Sequence, residues 1–210
     1  MKKTICLCFL LALLLGMAAC VIIPEIEPTT HASTQPPSEA TASGGEPSVT
    51  DIPGLEFSDL TGLEFWFASG VGAWSTEVEI LPDGSFNGYY HDSDMGDDGP
   101  GYPNGTMYEC SFSGQFSPLK KIDAYTYSMQ CESLKAEGTV GVEKIIDGIK
   151  VITSEPYGFD DADEFMLYLP GKSASELPAG FLDWSHESAS SGVLTGYGLY
   201  NVAGQQGFIA

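Results

Sequence analysis

Four aspartates crowd a short glycine-containing stretch in the middle of the chain: Asp92, Asp94, Asp97 and Asp98. Their carboxylate oxygens are the hard ligands that Ca²⁺ prefers, and the nearby glycines would let the backbone fold around an ion. The spacing departs from an EF-hand loop, because a glycine follows Asp94 at a ligand position and no glutamate closes the loop. We favour a solvated loop between two hairpins, keep a weak Ca²⁺ site as the alternative, and expect no other cofactor.

Two cysteines, Cys110 and Cys131, stand on predicted strands that pair in a hairpin. If Phe116 lies opposite Tyr125, the same register places the two cysteines opposite each other on the inward face. Outside the cytoplasm such a pair would form a disulfide. The alternative is two buried thiols that pack as small apolar side chains.

Catalytic motifs are scarce. His91, Asp92 and Ser93 are the residue types of a hydrolase triad, but neighbours on one strand point to opposite faces and cannot align. No Gly-x-Ser-x-Gly motif occurs, and because the chain has three histidines we expect no histidine-based zinc site. We therefore expect a protein that is not an enzyme, while a pair of carboxylates for glycoside hydrolysis stays open.

Aromatic side chains offer a different kind of site. Trp66, Trp74, Tyr90 and Tyr127 could line a ligand pocket, although such residues more often form plain core. Trp66 is the unusual one, because it lies on the strand face opposite its buried neighbours. Its large ring must meet either a second layer or a ligand.

Alternating apolar residues, bounded by Gly, Pro, Asn and Asp, predict antiparallel strands from residue 63 onward. Around the turn at 82–84, pairing Ile80 with Phe86 places Thr76 opposite Tyr90 and sets a first hairpin. Further strands are predicted at 108–116, 125–132, 140–143, 149–153, 165–169 and 193–202, with a tight turn at 147–148 and a short helical turn after Pro178. The fold class predicted is all-β, an antiparallel meander of about eight strands forming a lipocalin-like barrel, with a two-sheet sandwich as the alternative.

The N-terminus has the features of an export signal. Lys2 and Lys3 precede an apolar run too short to span a bilayer as a mature helix. The run ends in small residues directly before Cys20, which resembles the lipobox of bacterial lipoproteins. The resemblance implies that residues 1–19 are removed and that Cys20 is diacylated, the alternative being an ordinary secreted protein cleaved near Ala19.

Residues 20–52 follow as a Pro, Ser and Thr-rich linker without an aromatic residue, and 53–210 form the folded domain. The net charge is −21, with 29 acidic and 8 basic residues. A basic surface for nucleic acid cannot be assembled from this composition, and anionic substrates are disfavoured by the same field.

Several segments resemble a family of uncharacterised lipoproteins from gut Clostridia. They are residues 67–77 (FASGVGAWSTE), 83–86 (DGSF), 90–96 (YHDSDMG), 125–129 (YTYSM) and 197–201 (YGLYN). The resemblance covers most of 63–202 and implies no catalytic residue or ligand. Residues 72–74 also resemble the Gly-x-Trp signature at the start of lipocalin barrels, where it is structural.

These features together predict a lipid-anchored, extracytoplasmic protein whose partner is the membrane, through Cys20. The leading hypothesis is a non-catalytic binding module for a small molecule, a carbohydrate or a peptide. The alternatives are a structural or protein-interaction domain of the cell envelope and, third, a hydrolase that uses acidic residues.

Overall fold

Eight antiparallel strands close into a barrel in the computed structural model, which describes residues 54–210. The predicted signal peptide, Cys20 and the linker lie outside the described residues. The strands of the whole sheet are β1 (Glu64–Ala68), β2 (Trp74–Ile80), β3 (Ser85–Asp94), β4 (Thr106–Phe116), β5 (Lys120–Lys121), β6 (Thr126–Ala136), β7 (Glu143–Ile146), β8 (Ile149–Thr153), β9 (Glu164–Tyr168), β10 (Gly198–Asn201) and β11 (Gln206–Ile209).

The barrel runs in the order β1, β2, β3, β4, β6, β9, β10, β11, and β11 returns to β1 through the pair Trp66 and Ile209. Each neighbour in this ring is also the next barrel strand along the chain, so the topology is an up-and-down meander. The predicted all-β, lipocalin-like barrel is confirmed. Closure satisfies the backbone groups that a sandwich would leave at its edges.

The first predicted hairpin has the register that the sequence indicates. Ile80 lies opposite Phe86, Thr76 opposite Tyr90, and Trp74 opposite Asp92. The turn at 82–84 is short, and Gly84 adopts a φ of 81°. Such a short connection allows only one pairing of β2 with β3 that keeps the apolar side chains on the inward face.

The register of the second hairpin, β4 with β6, differs from the prediction, and the disulfide predicted from that register is therefore also wrong. Cys131 lies opposite Phe116 rather than Cys110, and a bulge then places Ala136 opposite Phe112. Phe116 is six positions along β4 from Cys110, about 20 Å at the usual rise of a strand. A disulfide needs Cα atoms within about 7 Å, so both cysteines are free thiols.

Strand β4 pairs with β3 along one edge and divides its other edge between two strands. Its C-terminal half pairs with β6, and its N-terminal half pairs in parallel with β8. Strand β7 then pairs with β8 through a tight turn in which Asp147 and Gly148 both have positive φ, as predicted. The β7–β8 hairpin therefore extends the sheet outside the barrel.

Phe159, from the loop between β8 and β9, fills the centre of the barrel. Its ring centroid lies 5.0 Å to 5.8 Å from those of Phe86, Phe112, Phe165 and Phe208. Two glycines make room on the strands, because a Cβ on Gly88 would overlap the ring of Phe112 and one on Gly114 would overlap that of Phe86. The interior is thus a packed aromatic core rather than a lumen.

Buried polar groups hold the loop that carries Phe159. The Thr76 hydroxyl donates to the Tyr157 carbonyl oxygen at 2.6 Å. On the other side, the Asn201 side-chain amide donates to the carbonyl oxygen of Asp160 at 2.8 Å, and Gln206 donates to the Asp160 carboxylate. Each contact satisfies a group that burial would otherwise leave unpaired.

The segment between β9 and β10 covers the outer face of the last strands. It includes helix α1 (Ala179–Leu182), which begins after Pro178 as predicted. Phe181 is fully buried there against Tyr168 and Tyr200. This second core explains why the predicted single closing strand at 193–202 is wrong: its first part packs outside the barrel, and the closure is made by the β10–β11 hairpin. No helix in the described part of the chain is long and apolar enough to cross a bilayer.

Candidate functional site: the Trp66 groove

Trp66 lies on the outside of the barrel because strand residues alternate between faces. Its neighbours Phe65 and Phe67 are completely buried, while 44% of Trp66 remains exposed. The indole N–H donates to the Glu64 carboxylate at 3.0 Å, two residues away on the same face. A large aromatic side chain is therefore held in a defined position at the surface without a protein layer over it.

The cross-strand neighbours of Trp66 continue the outer face. Glu77 on β2 lies opposite Trp66, and Tyr89 on β3 lies opposite Glu77. Adjacent strands are about 4.8 Å apart, so the two aromatic residues are separated by two strand spacings, about 10 Å, with a carboxylate between them.

A groove of about 420 Å³ opens beside Trp66. We call it the Trp66 groove; it is lined by Trp66, Ala68, Gly70, Gly72, Trp74, Ser75, Glu77 and His91. Gly70 and Gly72 have φ values near 80°, which glycine adopts without strain, and neither adds a side chain to the groove that they line. The His186 ring packs below Gly70, with Nε2 3.1 Å from the Ala68 carbonyl oxygen, and fixes that loop.

Carboxylates surround this surface. Glu64 lies directly opposite Glu79 in the β1–β2 ladder, a pairing of like charges. Burial raises the pKa of the Tyr89 hydroxyl, and the nearby carboxylates of Glu109 and Glu77 raise it further. Glu109 is paired with Lys144 at 3.1 Å, so part of this field is neutralised on the β4 side.

Ser75, His91 and Glu77 form a small hydrogen-bond network at the groove. The Ser75 hydroxyl lies 3.3 Å from His91 Nδ1 and donates to Glu77 at 3.2 Å. In a hydrolytic triad the histidine lies between the serine and the acid. Here the serine lies between the other two and is only 5% exposed, so the network orders the groove wall rather than activating a nucleophile.

The four aromatic residues predicted to line one pocket separate into two pairs. Trp66 and Trp74 both border the Trp66 groove. Tyr90 and Tyr127 belong to the buried core, where the Tyr127 hydroxyl accepts a hydrogen bond from the Leu55 amide at 3.1 Å. Burial raises the pKa of Tyr90 to about 12. The predicted pocket is therefore wrong for both tyrosines.

The acidic stretch does not form the Ca²⁺ site considered as an alternative. Asp92 and Asp94 belong to β3, Asp94 accepts amide hydrogen bonds from Gly96 and Asp97, and the Asp97 carboxylate is bound by Lys150 at 2.8 Å. Asp98 is exposed. Across residues 54–210, no three His, Cys, Asp or Glu side chains converge closely enough to hold a metal ion.

The two thiols are placed for packing. Burial raises the pKa of Cys110 to about 11, and it also raises that of Cys131. A thiol with a raised pKa is a poor nucleophile at neutral pH.

Sequence reasoning identified Trp66 and missed Glu64, Glu77 and Tyr89. The signal was available, because the register of the first hairpin already places Glu77 opposite Tyr89. What the pattern lacked was the β1–β2 register, which brings Trp66 into the same row. No protein-family model, curated protein or solved structure matches the chain.

Proposed function

We propose that this protein is a membrane-anchored, extracytoplasmic binding module that is not an enzyme and that holds its ligand in the Trp66 groove. The observation that carries the proposal is the exposed indole of Trp66, hydrogen-bonded in place beside a groove of about 420 Å³. Ligand sites combine such apolar surface with a few positioned polar groups, here Glu77 and His91. The filled barrel directs the proposal to this outer face instead of the barrel mouth.

The anchor in this proposal is the diacylated Cys20, with residues 21–52 as the tether. Replacing Cys20 with serine should abolish incorporation of labelled palmitate and release the protein from the membrane fraction. Two acyl chains give stable attachment, whereas none leaves a secreted chain. Palmitate incorporation into the Cys20→Ser variant would contradict this part of the proposal.

The groove is tested by a thermal-shift screen of the purified chain against sugars, small organic cations and short peptides. A ligand at 100 times its dissociation constant adds about 2.7 kcal/mol of stability, which such a screen detects. The shift should disappear in Trp66→Ala and persist in Tyr125→Ala, a control residue that is equally exposed, at 44%, in the turn between β5 and β6. Equal shifts in both variants would refute the assignment of the groove.

A second candidate function, a protein-interaction domain, is favoured by the β7–β8 hairpin. All four residues of β7 are exposed, among them Ile145 at 57% and Ile146 at 46%. An exposed apolar edge strand can accept a strand from another protein. Under this alternative, Ile145→Lys would abolish binding to a partner protein while Trp66→Ala would leave it unchanged.

A further inference from the structure

The Trp66 groove and the strand surface beside it carry carboxylates that form no ion pair within residues 54–210. The four ion pairs of residues 54–210 use Glu109, Asp97, Asp123 and Glu176 as acids. None of them includes Glu77, which lines the groove, or Glu64 and Glu79, which lie next to it on β1 and β2. Glu64 and Glu79 also oppose each other across the ladder, and like charges in that position destabilise a sheet.

Aromatic rings accompany these carboxylates. Trp66, which lines the groove, and Tyr89, which lies outside it, stand on either side of Glu77 in the same cross-strand row. Indole and phenol faces attract cations through the ring quadrupole, and indole does so most strongly. Rings and carboxylates therefore select the same sign of charge.

We propose that the ligand of the Trp66 groove is an organic cation, a quaternary ammonium group on a small apolar body. This inference rests on the proposed function and names the class of ligand. Such a cation carries an apolar shell and needs no hydrogen bond, so it suits a groove lined by Trp66, Ala68 and two glycines. The net charge of −21 also raises the local concentration of cations at the surface.

Glu77 is the residue that distinguishes this ligand from an uncharged one. It lines the groove, is half-buried, and lies between the two rings. Glu64 is engaged with the Trp66 indole and sets the orientation of the ring. Glu77 supplies the charge, and Trp66 supplies the surface on which the ammonium group rests.

The test is calorimetric titration of the full chain with choline and with 3,3-dimethylbutan-1-ol, which has the same shape without the charge. Choline should bind at least about five-fold more tightly than the alcohol. Glu77→Gln should raise the dissociation constant of choline about three-fold or more and leave that of the alcohol unchanged. The control is Glu132→Gln, which removes the same charge from an exposed site on β6.

Equal affinities for choline and the alcohol would overturn the inference, as would equal effects of Glu77→Gln and Glu132→Gln on choline. If either result came with Trp66-dependent binding of a neutral sugar, the proposed function would stand and the cation would be excluded. If Trp66→Ala matched Tyr125→Ala for every ligand that binds, the proposed function itself would fail. Choline binding that depends on both Trp66 and Glu77 supports both proposals.

Discussion

Replacing Phe159 with alanine should be among the most destabilising single changes in the barrel. Phe159 is 3% exposed and contacts four other phenylalanine rings, so its removal takes away buried apolar surface and leaves a cavity. Phe→Ala changes in rigid cores cost about 3–5 kcal/mol. For a folded part of this size, each kcal/mol lowers Tm by about 2–4 °C, so the expected decrease is about 6–20 °C.

The assay is urea unfolding followed by tryptophan fluorescence, with Met95→Ala as the control. Met95 is 70% exposed, and its truncation should change the free energy of unfolding by less than about 0.5 kcal/mol. Benzene should restore part of the stability of Phe159→Ala, because a dry apolar cavity of this kind binds it. Phe159→Leu provides the same comparison at smaller cost if the alanine variant fails to fold. A loss below about 1 kcal/mol in Phe159→Ala, without a benzene effect, would refute the filled barrel.

Three further predictions concern the glycines, the ion pairs and the thiols. Gly88→Ala should cost about 1–3 kcal/mol by overpacking, whereas Gly54→Ala, whose Cβ would meet nothing within 4 Å, should be neutral by denaturant titration. The Asp123 carboxyl has a pKa below its ordinary value of 3.8, because a backbone amide and a lysine bind its ionised form. Its contribution to the free energy of unfolding is therefore present above about pH 4 and is lost as the pH falls through the pKa of the folded state. The free energy of unfolding of Asp123→Asn should therefore fall less steeply with decreasing pH than that of the wild type. An unchanged slope would show that the Asp123 carboxylate does not stabilise the folded state. Mass spectrometry of unreduced, unfolded protein should show that Cys110 and Cys131 are both alkylated, and an intact disulfide between them would disprove the strand register. In the native protein, the Cys110 thiol should react slowly with an alkylating reagent at pH 8, because its pKa is about 11.

Local patterning predicted the fold class and the first hairpin because short turns leave one register. Between Ile80 and Phe86 the connection is so short that alternation alone fixes the pairing. The same pattern also identified the inward residues Phe65 and Phe67, and with them the outward position of Trp66.

The second hairpin shows where such reasoning loses its power. Moving the partner of Phe116 from Tyr125 to Cys131 is a shift of six residues, and an even shift keeps Tyr127, Met129 and Cys131 on the inward face. Alternation therefore cannot distinguish the two registers. The bulge beside Phe116 and the pairing of β5 with β6 distinguish the observed register from the predicted one, and neither feature is visible in the apolar pattern of the sequence.

The candidate site was predictable only in part for a similar reason. Trp66 was evident as an outward aromatic residue within one strand. Glu77 and Tyr89 become its neighbours through pairing between strands, which depends on the β1–β2 register. The Ca²⁺ alternative was wrong because Lys150, more than fifty residues away in sequence, binds Asp97. Long-range partners of this kind cannot be read from a local run of acids.

The pairing of β1 with β11 also constrains how the molecule is made. Trp66 and Ile209 pair across almost the whole folded sequence, so the barrel cannot close until the last strand has left the ribosome. Contacts of such long sequence separation are characteristic of slow folding. Until then the β2–β3–β4 meander, whose contacts are local, can assemble while the chain remains an open sheet.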